Sequence, residues 1–123
     1  MTVTNTESQA LVDESVLQQM IVDTSAEVIP ILIDHYVTES KTRIDAIKKA
    51  AESQDGEALE FEVHTLGSTS LALGNRALST LARDIERQCL EKQTEIAFTR
   101  VDELLTLADD SIQALIDRKE LGF

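Results

Sequence analysis

The sequence predicts an all-α chain, an antiparallel up-down four-helix bundle with a short additional N-terminal helix. Three observations carry that prediction. Apolar residues recur every three or four positions through long stretches, the period of a helix with one buried face. Helix breakers are scarce, with Pro30 the single proline and only four glycines among 123 residues. The apolar set is aliphatic: the aromatic residues are Tyr36, Phe61, Phe98 and Phe123, and tryptophan is absent. That composition suits helices better than a β-sandwich or a disulfide scaffold. A chain of this length makes one domain, large enough to bury a core without cross-links.

Residues 1–12 read as a flexible N-terminal tail, polar and without periodicity, and residues 13–123 as the folded domain. Asp13 is placed as the N-cap of a short helix that carries Val16, Leu17, Met20 and Ile21. Asp23-Thr24-Ser25 ends that helix and caps the next. Pro30 falls in the first turn or two of the second helix, where a missing N–H costs least. Ile29, Ile33, Tyr36, Val37, Ser40, Ile44, Ile47 and Ala51 continue its buried face to about Ser53, with Lys41, Arg43, Lys48 and Lys49 outside. The Gln54-Asp55-Gly56 turn opens a third helix, which Gly74 ends as a left-handed C-terminal residue. Asn75 caps a fourth, with Leu78, Leu81, Ala82, Ile85 and Cys89 facing inward. A last helix begins near Thr94 and buries Phe98, Val101, Leu105, Ala108, Ile112 and Leu115 or Ile116. Turns of two to four residues between long helices make neighbours antiparallel.

Eleven basic against 23 acidic side chains leave a formal charge of −12. So acidic a surface is repelled by nucleic acid and by anionic membranes. No apolar run approaches the roughly 18 residues that span a bilayer. No Lys or Arg precedes Lys41, so the basic start of a signal peptide is missing. One cysteine, Cys89, cannot make an internal disulfide and fits a reducing compartment. The expectation is a soluble, cytoplasmic protein.

The stretch from Phe61 to Gly74 is the one the bundle is built to hold. Leu59, Val63, Leu66, Ser70 and Leu73 share one face at helical spacing. At about 100° per residue, His64 points away from that stripe, with Glu60, Ser68 and Leu71 on its side. Gly67 and Ser68 in the next turn are expected to leave the ring sterically uncovered. An exposed imidazole so placed is a nucleophile presented to another protein. A ring of reference pKa about 6.5 has a free nitrogen at pH 7 and needs no dedicated base to act as a nucleophile.

His64, Leu66, Ser68-Thr69-Ser70, Gly74, Leu78, Leu81 and Ile85 together resemble the histidine phosphotransfer (HPt) domain family, whose motif is H-x-L-K-G-S-S with a glycine ten residues after the histidine. The chain is similar in size and layout to free-standing single-domain HPt proteins of bacterial multi-component phosphorelays of the quorum-sensing type. The resemblance implies a relay: His64 is the phospho-acceptor, loaded by a receiver-domain aspartate of a hybrid sensor kinase and discharged to a response-regulator aspartate. It implies attack through Nε2, Mg²⁺ supplied by the receiver, no cofactor or metal of its own, no kinase activity, and a monomer. The sequence departs from the motif at Gly67, where the family carries lysine, and at Ser68, where it carries glycine. The missing cation leaves Thr65 and Ser68 hydroxyls, or an arginine of the Arg76, Arg83, Arg87 stripe, to hold phosphoryl oxygens. The expected phosphoryl and docking neighbourhood is Gly67, Ser68, Thr65, Leu71, Phe61, Glu60, Arg83 and Arg87, with Leu71 and Phe61 as its apolar centre. The alternative is a degenerate HPt domain or helical-bundle adaptor that binds a receiver or kinase without phosphate turnover.

Other signals have plainer readings. His35 lies beside the buried face of the second helix and reads as a packing residue. Cys89 reads as a small core hydrophobe. Two distant histidines and one thiol do not make a zinc site. Gly67 and Gly74 interrupt and end a helix rather than follow a strand, so they form no nucleotide-binding loop.

Overall fold

Six helices account for most of residues 11–123, the part of the chain that the computed structural model describes. In order they are α1 (Glu14–Asp23), α2 (Ile29–Glu52), α3 (Gly56–Ala72), α4 (Arg76–Leu90), α5 (Thr94–Thr99) and α6 (Val101–Glu120). There is no strand among the described residues. Of the expected tail, residues 1–12, the first ten lie outside the described residues. Leu11 and Val12 are engaged: Val12 is buried, and the Leu11 carbonyl accepts from Asn75 Nδ2 at 2.9 Å.

Capping chemistry sets several helix ends. The Asp13 carboxylate accepts from the Ser15 N–H, and Asp55 accepts from the Ala58 N–H at 3.1 Å. At the end of α3, Gly74 adopts φ +88°, the Asn75 N–H donates to the Ser70 carbonyl and the Gly74 N–H to Leu71. This paired closure satisfies two carbonyls the helix would leave open, and it needs the left-handed residue that glycine supplies at no steric cost.

α2, α3, α4 and α6 pack in a ring, α3 on α2 and α4, and α6 on α2 and α4. Cross-helix pairs run in opposite order along neighbours, as antiparallel packing requires: His64 meets Glu86 while Gly67 lies against Arg83. One core fills the ring, with Ile47, Leu59, Val63, Leu66, Leu78, Ile85 and Leu104 fully enclosed. A second cluster closes one end under α1, built from Val12, Leu17, Ile29, Ile33, Tyr36 and Leu115. Burial pushes the Tyr36 phenol pKa up.

Several expectations need correction. α2 is not capped by Thr24 or Ser25: Thr24 is the C-cap of α1, and Val28 precedes Ile29 with no side-chain cap. Asn75 stands at the N-cap position of α4 without bonding its first turn. Its amide is drawn instead to the Leu11 and Ser111 carbonyls, tying α4 to α6. The last helix is broken at Arg100, because the Thr99 hydroxyl takes the Ile96 carbonyl at 2.6 Å and the Arg100 N–H closes tightly on Ala97. Arg43 is half-buried rather than outside, since Glu62 on α3 accepts two hydrogen bonds from its Nη1, at 3.2 and 2.8 Å. Ala50 and Leu104 are buried where the periodicity favoured Ala51 and Leu105, which are half-buried.

Candidate functional site

α3 holds His64 by burying the opposite side of the same helix. Leu59, Val63, Leu66 and Ser70 are fully buried, which fixes the rotation of α3 in the ring. His64 then lies toward solvent on the α4 side, with its side chain 63% exposed. Hydroxyls flanking it bond back to their own helix. Thr65 Oγ1 donates to the Phe61 carbonyl at 3.1 Å, Thr69 Oγ1 to Thr65, and Ser70 Oγ to Leu66 at 2.6 Å. The Thr65 proton is thereby committed, and the hydroxyl the sequence offered to the ring is turned away from that use. Ser68 is exposed.

The imidazole has a partner that periodicity along α3 does not reveal. His64 Nδ1 lies 2.6 Å from Glu86 Oε2, contributed by α4. An ionised carboxylate only accepts, so Nδ1 is the donating nitrogen. Nε2 is left as the ring atom available to an incoming group. Glu86 is 20% exposed and holds the ring from one side without covering it.

Gly67 is buried against α4. A Cβ there would stand 3.1 Å from Arg83 Cγ and 3.7 Å from Ala82 Cβ. The Ser79 hydroxyl donates to the Gly67 carbonyl at 2.7 Å. Glycine at this point lets the two helices approach, a packing use that offsets its intrinsic cost of about 1 kcal/mol in a helix interior.

The arginine stripe of α4 divides by partner. Arg76 pairs with Asp13 at 2.7 Å, and Arg87 with Asp84 and with Glu91 at 2.9 Å. Arg100 also reaches Asp84, and hydrogen bonds from Arg100 and then Arg87 hold that carboxyl below the usual range. Arg83 is exposed and has no carboxylate partner among the described residues. Arg87, expected beside His64, is committed to its own helix.

Around the ring the surface is mixed. Phe61, one turn before His64, is 62% exposed, and Leu71 on the other side is 39% exposed. Leu90 at the end of α4 is a further exposed apolar residue, absent from the expected neighbourhood. Glu60 is half-buried and faces an open acidic recess with Asp55, Glu57, Cys89 and Thr94. Cys89 is half-buried, packed against the edge of the core, and burial, then Glu60 and Glu86, push its thiol pKa up. His35 is exposed beside an apolar cleft with Met20, Leu32 and Tyr36. Among the described residues no group of three or more His, Cys, Asp or Glu side chains converges as metal ligands, and no helix is long and apolar enough to cross a membrane.

Comparison with known proteins adds two findings. The family model described as Hpt domain matches residues 31–118. The crystal structure of histidine-containing phosphotransfer protein B (HptB) from Pseudomonas aeruginosa PAO1 superposes with a TM-score of 0.73 at 20% sequence identity, covering 85% of this chain and 87% of that one. At that identity the likeness is one of fold. No curated protein matches in sequence.

Proposed function

The chain belongs to the Hpt domain family, and from that premise we propose that it carries phosphoryl groups on His64 between two aspartates, from the receiver domain of a hybrid sensor kinase to that of a response regulator. Histidine phosphotransfer in a phosphorelay is the role of the family, whose members are carriers rather than kinases. The observation that supports the assignment to His64 is its geometry: an exposed ring whose Nδ1 is held 2.6 Å from Glu86, with Nε2 outward.

The chemistry follows from that geometry. The Nε2 lone pair attacks the phosphorus of an aspartyl phosphate. The N–P bond forms as the P–O bond to the partner's aspartate breaks, and the carboxylate leaves with the electron pair. Positive charge that develops on the ring is shared with Nδ1–H, against the Glu86 carboxylate. Glu86 thus positions the ring and favours the protonation pattern that leaves Nε2 nucleophilic. Discharge to the second aspartate is the same step reversed, so the carrier needs only a well-oriented nitrogen and room for a partner. Phe61 and Leu71 supply apolar contact on either side of the ring, and exposed Ser68 leaves space between. The proposed setting is cytoplasmic, with the chain acting as a monomer.

Relay and adaptor readings separate with two kinds of substitution. His64→Gln is expected to abolish signal passage through a reconstituted relay while receiver binding persists. Phe61→Glu or Leu71→Glu is expected to weaken binding itself. Signal passage retained in His64→Gln would mean the protein acts as an adaptor.

A further inference from the structure

We propose that Arg83 of α4 is the cation that holds the phosphoryl group on His64, its guanidinium passing over the bare backbone of Gly67; the inference rests on His64 being the acceptor. α3 and α4 run antiparallel, so the pair His64 and Gly67, one turn apart on α3, lies opposite Glu86 and Arg83, one turn apart on α4. A turn of three residues advances about 4.5 Å along a helix, which places the Arg83 stem next to the ring rather than across the bundle. Contact with α3 is direct, because a Cβ on Gly67 would stand 3.1 Å from Arg83 Cγ and 3.7 Å from Nε. Any side chain at position 67 would contend for the space the arginine uses.

Charge balance singles out Arg83 among the arginines of α4. Arg76 is held by Asp13, and Arg87 by Asp84 and Glu91. Around His64 the remaining groups are acidic, with Glu86 against Nδ1 and Glu60 one turn before. Arg43, the basic residue of α2 that pairs with α3, is taken up by Glu62 and Glu39. A phosphoryl group entering at Nε2 brings up to two negative charges into this surround. Arg83, with planar donors and no carboxylate partner among the described residues, is the group available to meet them. Gly67 and Arg83 therefore act as a pair: the one has no side chain so that the other can lie across it.

The test is the equilibrium partition of phosphate between one receiver domain and this protein, measured for the native chain, Arg83→Ala, Arg83→Lys and the double variant Arg83→Ala/Gly67→Lys. An equilibrium does not register changes in docking or in the rate of encounter, so a merely structural role of Arg83 would leave it unmoved. Losing one solvent-exposed cation–phosphoryl contact is expected to shift the partition toward the receiver by about two- to fivefold. The same loss is expected to raise the second pKa of the phosphoryl group by about 0.3–0.7 unit, read by ³¹P NMR. Arg83→Lys is expected to retain part of the effect. The double variant is expected to recover it, since removing the Arg83 stem clears the space that a lysine side chain on α3 needs. Unchanged partition and unchanged phosphoryl pKa in Arg83→Ala would overturn the assignment, as would a double variant no better than Arg83→Ala. A native protein that takes no phosphate at all would instead overturn the acceptor role of His64, whatever Arg83 does.

Discussion

Replacing Glu86 with alanine removes the side chain that, among the described residues, bonds the His64 ring, and the structure sets the size of the loss. A hydrogen bond with one charged partner contributes about 1.5–3 kcal/mol when shielded from water. Here the carboxylate is 20% exposed and the imidazole 63% exposed, so solvent screening leaves about 1 kcal/mol. If that interaction orients the ring and supports the charge that develops on it, transfer slows about fivefold. Glu86→Gln keeps an acceptor for Nδ1–H and discards the charge, so it is expected to fall between alanine and native. The assay is single-turnover transfer from a phosphorylated receiver, with ¹⁵N NMR of His64 reporting which ring nitrogen carries the proton. In the native protein Nδ1 is expected to be protonated, and in Glu86→Ala the two tautomers are expected to mix. An alanine variant that transfers at the native rate with the native tautomer would refute the positioning role.

Further predictions concern the frame that holds the site. Gly74→Ala puts a Cβ 3.1 Å from the Asp13 carbonyl oxygen at φ +88°, and is expected to cost about 1–2 kcal/mol in urea denaturation. Asn75→Ala strips the Leu11 and Ser111 carbonyls of their shared donor, with an expected loss of about 1–3 kcal/mol. Leu66→Ala empties a fully buried position beneath the site and is expected to cost about 2–5 kcal/mol. The Asp84 pKa is lowered from 3.8 by Arg100 first and Arg87 second. Its stabilising contribution is therefore complete above that unfolded value and is lost as pH falls through the lower folded one. Arg100→Gln should flatten the fall in stability measured from about pH 5 to about pH 3; an unchanged slope would contradict the linkage.

The helices were legible because burial leaves a period in the sequence, and the candidate acceptor because His64 stands outside that period and heads a run of motif residues, Leu66, Ser68-Thr69-Ser70 and Gly74. Partners across the helix pair were less visible, although the information was present. Folding α3 back on α4 about residue 75 sets residues at equal distances from the turn side by side. That mirror pairs His64 with Glu86 and Gly67 with Arg83, as the contacts do. Reading α4 only as an outward arginine stripe hid the pairing, because one helix's periodicity says nothing of the register of its neighbour. Asn75 misled for a related reason. A residue type favoured at helix starts was spent on a contact to α6, which only the closed bundle supplies. The break at Arg100 depends on the Thr99 hydroxyl competing for a backbone carbonyl, a choice no hydrophobic pattern records.

The most direct test of the account is to load the native protein and His64→Gln from a phosphorylated receiver domain and map the label. The account predicts an acid-labile, base-stable phosphoryl group on the native chain at His64 Nε2, and none on the variant. Label of equal amount on both proteins, or on Nδ1 rather than Nε2, would contradict it.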